Sequence, residues 1–272
     1  MSPPRAPRQV TSKPNVADPA WTVEQADWLD LAGLLPPASI DLLYADPPFN
    51  TGSARRAAPG GARLGRTIDA TFGDTFASTA DYLDWLRPRL AATLPALKPT
   101  ASVLLHVDWR TSHHVRLLLD QLLGEDHFVN HLIWSYGLGG SSPRRFARKH
   151  DDILFYAVDP ERYYFNPPRV PATSRRLAGQ TKKATDVLDI ASLNNMAAER
   201  TGYPTQKPLA LLELLVNACS PPGGTVLDPC CGSGTTLVAA LRARRRAVGG
   251  DRSGDAVALA RRRLTQHNAG IR

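Results

Sequence analysis

The sequence repeats one pattern five times: a short, mostly apolar run ends on an aspartate, and a loop or helical segment follows. The five runs are WTVEQAD (21–27), IDLLYAD (40–46), ASVLLHVD (101–108), GTVLD (224–228) and RAVGGD (246–251). Runs of this length are typical of strands in a sheet. Because they alternate with helical patterns, they predict an α/β fold in which helices cover both faces of a parallel sheet.

Helical spacing of apolar residues marks most of the segments between these strands. Such segments are 28–39, 80–99, 113–124, 208–219, 235–244 and 253–268. Proline at positions 36 and 37 should stop the first helix, and Pro88 should break the second, since proline lacks a backbone N–H. Two further strands are predicted at 128–137 and 152–158.

Three segments lack the apolar pattern of a core. Residues 1–19 are rich in proline and arginine and are predicted to form a flexible arm. Residues 53–78 are mostly small or basic, which predicts a mobile loop, and long loops inside compact domains are often functional. Residues 159–200 are irregular and basic.

Composition narrows the class of protein. The formal charge is +8, from 33 basic and 25 acidic residues, and arginine binds phosphate well, so the charge suits a nucleic-acid partner. No apolar run reaches the length of a membrane span and no signal peptide precedes the fold, which predicts a cytoplasmic protein. The three cysteines, Cys219, Cys230 and Cys231, do not complete a zinc site, so no metal is expected.

A glycine loop, VLDPCCGSGTTL (226–237), joins a predicted strand to a helix. It lacks the third glycine of dinucleotide-binding loops and the lysine of phosphate loops. Asp228 lies where a carboxylate suits a cationic amino group, and Asp251 lies where a carboxylate can bind two ribose hydroxyls. The pair fits S-adenosylmethionine, although Asp228 and Pro229 could also simply close a strand.

The segment DPPFNTG (46–52) follows the buried run IDLLYA (40–45). Asp-Pro and Asn-Thr-Gly are ordinary turn sequences, so this segment alone predicts only a turn. The two prolines also fix the backbone that follows Asp46.

Taken in order, these motifs resemble the beta class of DNA amino-methyltransferases. The segments that carry the resemblance are DPPFNTG, SVLLHVD, FVNHLIWSY, ARKHDDILFY, ERTGYPTQKPLALLELL, VLDPCCGSGTTLVAAL and AVGGD, spread over residues 24–264. Their order matters most, because in this class the catalytic tetrapeptide precedes the cofactor loop. The resemblance implies S-adenosylmethionine as the cofactor and double-stranded DNA as the substrate.

The resemblance also implies a circularly permuted, Rossmann-like methyltransferase fold with a mixed sheet of about seven strands. The strands that end at Asp228, Asp251, Asp27 and Asp46 would be neighbours, and their acids should line one crevice, since ligands bind at the carboxyl ends of parallel strands. On this view residues 20–158 form the catalytic half of the domain, 159–200 a small target-recognition insertion and 201–272 the cofactor-binding half.

Residues that match the family's motifs form two sets. The catalytic set is Asp46, Pro47, Pro48 and Phe49. The cofactor-binding set is Asp27, Trp28, Thr205, Gln206, Lys207, Pro208, Asp228, Pro229, Cys230, Gly232, Ser233, Gly234, Thr235, Thr236 and Asp251. The sequence departs from the family at Cys230, where a phenylalanine that packs on the cofactor is usual, and at Leu188, where tryptophan is common.

The resemblance assigns the opening motif a chemical role. Asp46 and the carbonyl of Pro47 would accept hydrogen bonds from an exocyclic amine, and Phe49 would stack on a base flipped out of the duplex. The acceptor would be N6 of adenine or N4 of cytosine. The DPP-aromatic form is more often linked to adenine, but both amines present the same local chemistry, so the base stays open.

Basic residues outside the motifs are candidates for DNA contacts, and a solvated surface is the alternative for each. They are Arg55, Arg56, Arg63, Arg66, Arg144, Arg145, Arg148, Lys149, Arg175, Arg176, Lys182 and Lys183. Several would bind phosphate, which positions DNA without reading its sequence. A homodimer and a cognate restriction endonuclease are further candidate partners, and the sequence is compatible with both a restriction–modification role and an orphan role.

Two alternatives remain from the sequence. Related enzymes methylate RNA or a protein glutamine with a similar tetrapeptide, but they place the cofactor loop first. A non-catalytic module that binds DNA or S-adenosylmethionine on the same fold would be expected to carry a damaged tetrapeptide, whereas DPPF is intact and only Cys230 departs.

Overall fold

The computed structural model describes residues 20–51, 75–137, 142–172, 176, 179–194 and 197–269. The predicted arm at 1–19 and most of the predicted loop at 53–78 lie outside the described residues. Within the described ranges, no helix is both long enough and apolar enough to cross a membrane.

Ten strands are present in the described part of the chain, eight in one mixed sheet and two in a separate ribbon. The strands are β1 Trp21–Gln25, β2 Ile40–Ala45, β3 Leu97–Val107, β4 Phe128–Ser135, β5 His150–Ala157, β6 Arg169–Pro171, β7 Thr181–Lys183, β8 Val187–Asp189, β9 Thr225–Asp228 and β10 Arg246–Asp251. The large sheet has the order β1-β10-β9-β2-β3-β5-β4-β8, and β6 pairs with β7 in the ribbon.

The sheet confirms the permuted order expected from the family. Strands β9 and β10, from late in the chain, lie between β1 and β2, from its beginning. The five strands from β1 to β3 are parallel, and β5 runs antiparallel to both of its neighbours. The register places Asp251 opposite Gln25 and Asp228 opposite Gly249, so the acid-bearing ends of adjacent strands meet at one edge. Strand β8, from the 159–200 region, adds a short eighth strand beside β4.

Helices cover both faces of the sheet, as predicted. They are α1 Trp28–Leu34, α2 Thr79–Thr93, α3 Ser112–Leu123, α4 Leu209–Cys219, α5 Thr235–Arg242 and α6 Gly254–Ala269. Alternate residues of β2 face opposite sides, so that Leu42 belongs to the core under α4–α6 whereas Leu43 belongs to the core under α1–α3.

The predicted break at Pro88 is wrong, because α2 continues through this residue to Thr93. Pro88 lies on the exposed side of the helix, while Tyr82, Leu86 and Leu90 are fully buried on the other side. A proline inside a helix costs about 3 kcal/mol, and we infer that the burial of these three side chains offsets this loss.

Candidate active site

A cavity of about 1070 Å³ opens at the carboxyl ends of the parallel strands. The four predicted acids, Asp27, Asp46, Asp228 and Asp251, all line it. Other predicted site residues that line the same cavity are Trp28, Pro47, Pro48, Phe49, Thr205, Gln206, Lys207, Pro229, Cys230, Gly232, Ser233, Thr235 and Thr236. The structure therefore brings the proposed catalytic motif and both proposed cofactor motifs to one place.

Two predicted cofactor residues do not line the cavity. Pro208 is the N-cap residue of α4, with extended backbone angles. Gly234 is the N-cap residue of α5 in the left-handed conformation, with φ +77°, and a Cβ there would come within 2.8 Å of the Ala260 Cβ in α6. Both residues shape the loops that carry their neighbours.

The predicted catalytic motif, residues 46–49, begins where β2 ends at Ala45. The ring of Phe49 stacks on the ring of His106, with 5.8 Å between centroids and an interplanar angle of 28°. His106 is fully buried, and its Nδ1 lies 2.8 Å from Tyr44 Oη while its Nε2 lies 3.3 Å from Asp151 Oδ2. This network gives the Phe49 ring a fixed support.

Asp151 is the charged end of that network. Burial raises the pKa of its carboxyl, but hydrogen bonding to His106 and the charges of His106 and Lys207 outweigh burial, so the pKa is lowered overall. Tyr136 also donates a hydrogen bond to Asp151 over 3.3 Å. Asp151 therefore remains ionised beneath the catalytic motif.

Asp46 is paired with a lysine from the TQKP motif. The distance from Lys207 Nζ to Asp46 Oδ2 is 2.5 Å. The same ammonium lies 5.1 Å from the centroid of Phe49, within the range of a cation–π contact. Lys207 is thus placed on the catalytic motif, 161 positions away along the chain.

Asp228 is buried at the end of β9, where it accepts a hydrogen bond from the Cys230 N–H over 3.1 Å. Burial, together with the repulsion of Asp46 and Asp251, raises the pKa of this carboxyl to about 7, although hydrogen bonds from Thr236 and Cys230 lower it. A buried carboxyl of this kind is a favourable neighbour for a cation, because a positive charge would stabilise its ionised form.

Asp251 and the glycine loop are held together by the backbone. Asp251 Oδ2 accepts a hydrogen bond from the Gly232 N–H over 2.9 Å, and Oδ1 accepts one from the Ser253 N–H over 2.8 Å. Burial raises the pKa of Asp251 despite these bonds. Gly232 has φ +49°, and a Cβ there would lie 2.9 Å from the ring of Tyr203, so the loop also needs glycine to pack on this tyrosine.

Asp27 caps α1 by accepting a hydrogen bond from the Leu29 N–H. Its two oxygens also bind Arg89 Nη2 at 2.8 and 2.9 Å. Burial raises the pKa of Asp27, but the bonds to Arg89 and Leu29 outweigh it, and the pKa is lowered. Trp28 is almost fully buried and donates its indole N–H to Thr93, so most of this ring belongs to the core.

The side chain of Gln206 holds the segment that leads into α4. Its amide oxygen accepts bonds from the backbone and hydroxyl of Thr201, and its nitrogen donates to the Glu199 carbonyl. The predicted TQKP motif therefore contains one residue that fixes its own loop, Gln206, and one that reaches the predicted catalytic residue Asp46, namely Lys207.

Several cavity residues were not predicted from the sequence. Tyr203, Trp85, Arg252 and Ser253 line the cavity beside the predicted set. Arg252 and Ser253 follow Asp251 directly, so their position could have been inferred from the end of β10. Trp85 lies on α2 with ordinary helical spacing, and nothing in its sequence context separates it from a core residue.

The predicted DNA contacts are only partly described. Arg55, Arg56, Arg63, Arg66 and Arg175 lie outside the described residues. Arg144, Arg145, Arg148 and Lys149 lie in the β4–β5 loop at 142–149 and are all exposed. Among these four, Arg148 lines the cavity, with its guanidinium carbon 3.3 Å from the centroid of the Trp109 ring.

Two further features concern the same surface. Phe146, in the middle of the 142–149 loop, is 98% exposed and was not predicted as a site residue. Arg176, Lys182 and Lys183 are exposed, the two lysines on strand β7 of the separate ribbon. None of these three basic residues lines the described cavity.

Comparisons with known proteins agree with this geometry. A family model for N6 and N4 enzymes, described as DNA methylase, matches residues 40–262. The chain is 29% identical over 230 residues to the Type II methyltransferase M.HpaI of Haemophilus parainfluenzae, covering 83% of this chain and 68% of that protein. It is 26% identical over 261 residues to the DNA adenine methyltransferase YhdJ of Escherichia coli K12, covering 90% and 83%.

Solved structures show the same fold. The complex of M1.HpyAVI with SAM superposes with a TM-score of 0.62 at 20% identity, covering 90% of this chain and 98% of that one. The cytosine-N4-specific PvuII DNA methyltransferase gives a TM-score of 0.63 at 16% identity, covering 93% and 94%. Since the family model spans most of the sequence, the chain belongs to the N6/N4 DNA methylase family.

Proposed function

We propose that this DNA methyltransferase transfers a methyl group from S-adenosylmethionine to the exocyclic amine of a base flipped out of duplex DNA. The observation that carries the proposal is the meeting of DPPF, the glycine loop and the acids Asp228 and Asp251 around one cavity. A duplex base could not reach Asp46 at the end of β2 without leaving the stack.

The residues of the cavity fit this cofactor. Asp228 is a buried carboxyl with a raised pKa, and the methionine ammonium would stabilise its ionised form. Asp251 presents a carboxylate at the end of the next strand, suited to ribose hydroxyls. When bound, S-adenosylmethionine supplies an electrophilic methyl group.

The chain's own contribution is to prepare the amine. The lone pair of an exocyclic amine is delocalised into its ring, which makes the amine a poor nucleophile. Hydrogen bonds from the amine to Asp46 and to the Pro47 carbonyl would hold the nitrogen nearer to tetrahedral geometry and direct its lone pair. Phe49, supported by His106, would stack on the base. Most of the rate then comes from positioning.

We infer adenine as the base to test first. The motif is the DPP-aromatic form, and YhdJ, a named relative, is an adenine methyltransferase. The cytosine-N4-specific PvuII enzyme shares the fold at lower identity, so cytosine is the competing choice. Both bases present an amine to the same acceptors.

The 142–149 loop is the proposed DNA-contacting surface nearest the cavity. It presents four basic side chains for phosphate, with the exposed Phe146 between them. The ribbon residues Lys182 and Lys183 belong to the proposed target-recognition region. The homodimer, the cognate endonuclease and the cytoplasmic location remain predictions.

The test is incubation of the protein with duplex DNA and labelled S-adenosylmethionine, followed by nucleoside analysis. We expect labelled N6-methyladenine or N4-methylcytosine, and Asp46→Ala should lower the rate at least about 100-fold while cofactor binding persists. Cofactor binding without labelled DNA would instead favour an RNA or protein substrate, or a non-catalytic module. Equal activity in Asp46→Ala would contradict the assigned role of DPPF.

A further inference from the structure

Lys207 is predicted from its motif to bind the cofactor, but its ammonium lies on the catalytic motif. Nζ is 2.5 Å from Asp46 Oδ2 and 5.1 Å from the Phe49 centroid. Both partners of the pair line the cavity, and their side chains are only 13% and 18% exposed. A flipped base that stacks on Phe49 and reaches Asp46 would therefore meet Lys207 as well.

The pair presents a hydrogen-bond acceptor beside a donor. The ammonium carries three protons, so that one can serve Asp46 while others remain for a second acceptor. Adenine has its N6 amine beside the acceptor N1, and cytosine has its N4 amine beside the acceptor N3. Thymine and guanine present a carbonyl oxygen beside a ring N–H, which is the opposite order.

We propose that Lys207 reads the Watson–Crick edge of the flipped base together with Asp46. Asp46 accepts a hydrogen bond from the amine, and Lys207 donates one to the neighbouring ring nitrogen. Thymine or guanine would place a carbonyl oxygen against Asp46 and an N–H against the ammonium, leaving buried groups unpaired. This inference rests on the proposed function and extends it by naming a residue that would admit adenine and cytosine but not thymine or guanine.

Base reading by Lys207 differs from assistance of the chemical step. A donor on the ring nitrogen draws electron density away from the amine, so it favours recognition rather than nucleophilicity. Stacking on Phe49 accepts any base, since every base has a π-face. The loss of Lys207 should therefore appear mainly in KM for DNA, with a smaller change in kcat.

The experiment combines a variant with an altered base. The substrate is duplex DNA carrying 1-deazaadenine at the target, or 3-deazacytosine if cytosine is the target, which keeps the amine but lacks the ring acceptor. For the wild type we expect kcat/KM to fall about 10-fold with the deaza base, as for the loss of one charge-assisted hydrogen bond. In Lys207→Met, kcat/KM with the normal base should be about 10-fold below the wild-type value, and the deaza base should lower it no further.

Two controls separate this role from a structural one. Lys98 forms a similar pair with Asp41, at 2.7 Å, and neither residue lines the cavity, so Lys98→Met should methylate like the wild type. Lys207→Arg retains a cationic donor and should recover part of the activity. The wild type with the deaza base also tests the ring contact without any variant.

Calorimetric titration with S-adenosylmethionine tests whether Lys207 binds the cofactor instead of the base. The expected result is an unchanged Kd in Lys207→Met. A weakened Kd combined with an undiminished deaza effect in the variant would overturn the inference and return Lys207 to the cofactor. A wild type that binds the cofactor but methylates neither base would overturn the proposed function itself, and the inference with it.

Discussion

At the scale of single residues, the carboxyl groups that line the cavity are stabilised in different ways. Asp46 is paired with Lys207, and Asp27 with Arg89. Asp228 receives hydrogen bonds from Thr236 and Cys230, but burial dominates and its pKa rises from 3.8 to about 7. Binding of a cation beside Asp228 would therefore favour the ionised form of its carboxyl.

This raised pKa predicts that cofactor affinity depends on pH. Binding of the methionine ammonium favours ionised Asp228, so below its pKa a proton must be released on binding. We expect the affinity for S-adenosylmethionine to weaken as pH falls from about 7 to about 5.5, by up to tenfold per unit. Isothermal titration across this range measures the effect. Asp228→Asn should bind more weakly and with a flat profile, and a wild-type slope retained in that variant would exclude Asp228 as the cause.

The same group should affect stability in the unliganded protein. The folded state holds the proton of Asp228 up to about pH 7, whereas the unfolded chain releases it near its ordinary value of 3.8. The folded state binds more protons in this window, so the contribution of Asp228 to stability falls as pH rises from about 4 to about 7. The free energies of unfolding of the wild type and of Asp228→Asn, measured with urea, should diverge between about pH 4 and about pH 7, and above pH 7 the variant should be more stable by a constant margin.

Residue positions differ in how far the sequence alone predicts them. Acids at the ends of apolar runs are predictable, because strand periodicity and parallel pairing bring them to one edge. The pairing of Lys207 with Asp46 is not, since it joins residues 161 positions apart through side-chain geometry. The packing of Gly232 against Tyr203 cannot be predicted for the same reason, because a glycine indicates that another group comes close but not which group it is.

At the scale of elements, the glycine loop depends on α6 as much as on its own sequence. Arg263 of α6 donates hydrogen bonds to the Ser233 carbonyl and to Thr235 Oγ1, at 2.7 and 3.0 Å. Ala260, one turn earlier on the same helix, leaves no room for a side chain at position 234. The last helix therefore holds the loop in its left-handed conformation.

Packing between loop and helix predicts the effect of Gly234→Ala. A Cβ at this position would meet the Ala260 Cβ at 2.8 Å on a backbone with φ +77°. Conformational strain and overpacking together should lower the free energy of unfolding by about 2–4 kcal/mol. Ala260→Gly removes the 2.8 Å contact but leaves the Cα of residue 260 at 3.1 Å and the strain unchanged, so the double variant should be more stable than the sum of the single effects, by about 1 kcal/mol. Additive denaturation data would show that this contact is unimportant.

At the same scale, the composition of the 142–149 loop predicts that Phe146 contributes to DNA affinity. An aromatic side chain that is 98% exposed among cations is suited to stack on a base. We expect Phe146→Ala to weaken duplex binding about 10-fold or more, while Phe146→Trp retains it. Fluorescence anisotropy at fixed salt measures this. Leu117→Ala, which removes a 60% exposed apolar side chain from α3 outside the cavity, is the matched control. If Phe146→Ala bound duplex DNA with wild-type affinity, Phe146 would not be part of the DNA interface.

Element boundaries show why sequence patterns fail in places. The low helix propensity of Pro88 predicts a break in α2, but the helix continues because residues on its opposite side are buried in the core. Residues 159–200 read as irregular, and the described residues are mostly so, but they also include three short strands, β6 and β7 of the ribbon and β8, whose Leu188 is buried in the core. Strands of three residues are too short for a periodicity to be recognised.

At the scale of the whole molecule, the two halves of the sequence share one sheet. Strand β1 pairs with β10 over five residues, and β2 pairs with β9. The division at residues 200 and 201, proposed from the family's motifs, therefore does not separate folding units. A sheet assembled from both ends of the chain forms its central pairing only when both ends are present, which favours cooperative unfolding.

This interleaving predicts that neither half folds alone. A fragment of residues 20–200 would lack β10 beside β1 and β9 beside β2, leaving open strand edges and the apolar face that α4–α6 cover. We expect both this fragment and 201–272 to show unfolded circular dichroism and poor amide dispersion in NMR. The intact chain should unfold in one transition, which S-adenosylmethionine shifts upward, by about 2.7 kcal/mol at 100 times its Kd. An independently folded fragment of residues 201–272 would contradict this prediction, because α5 and α6 would then have found a core without β1 and β2.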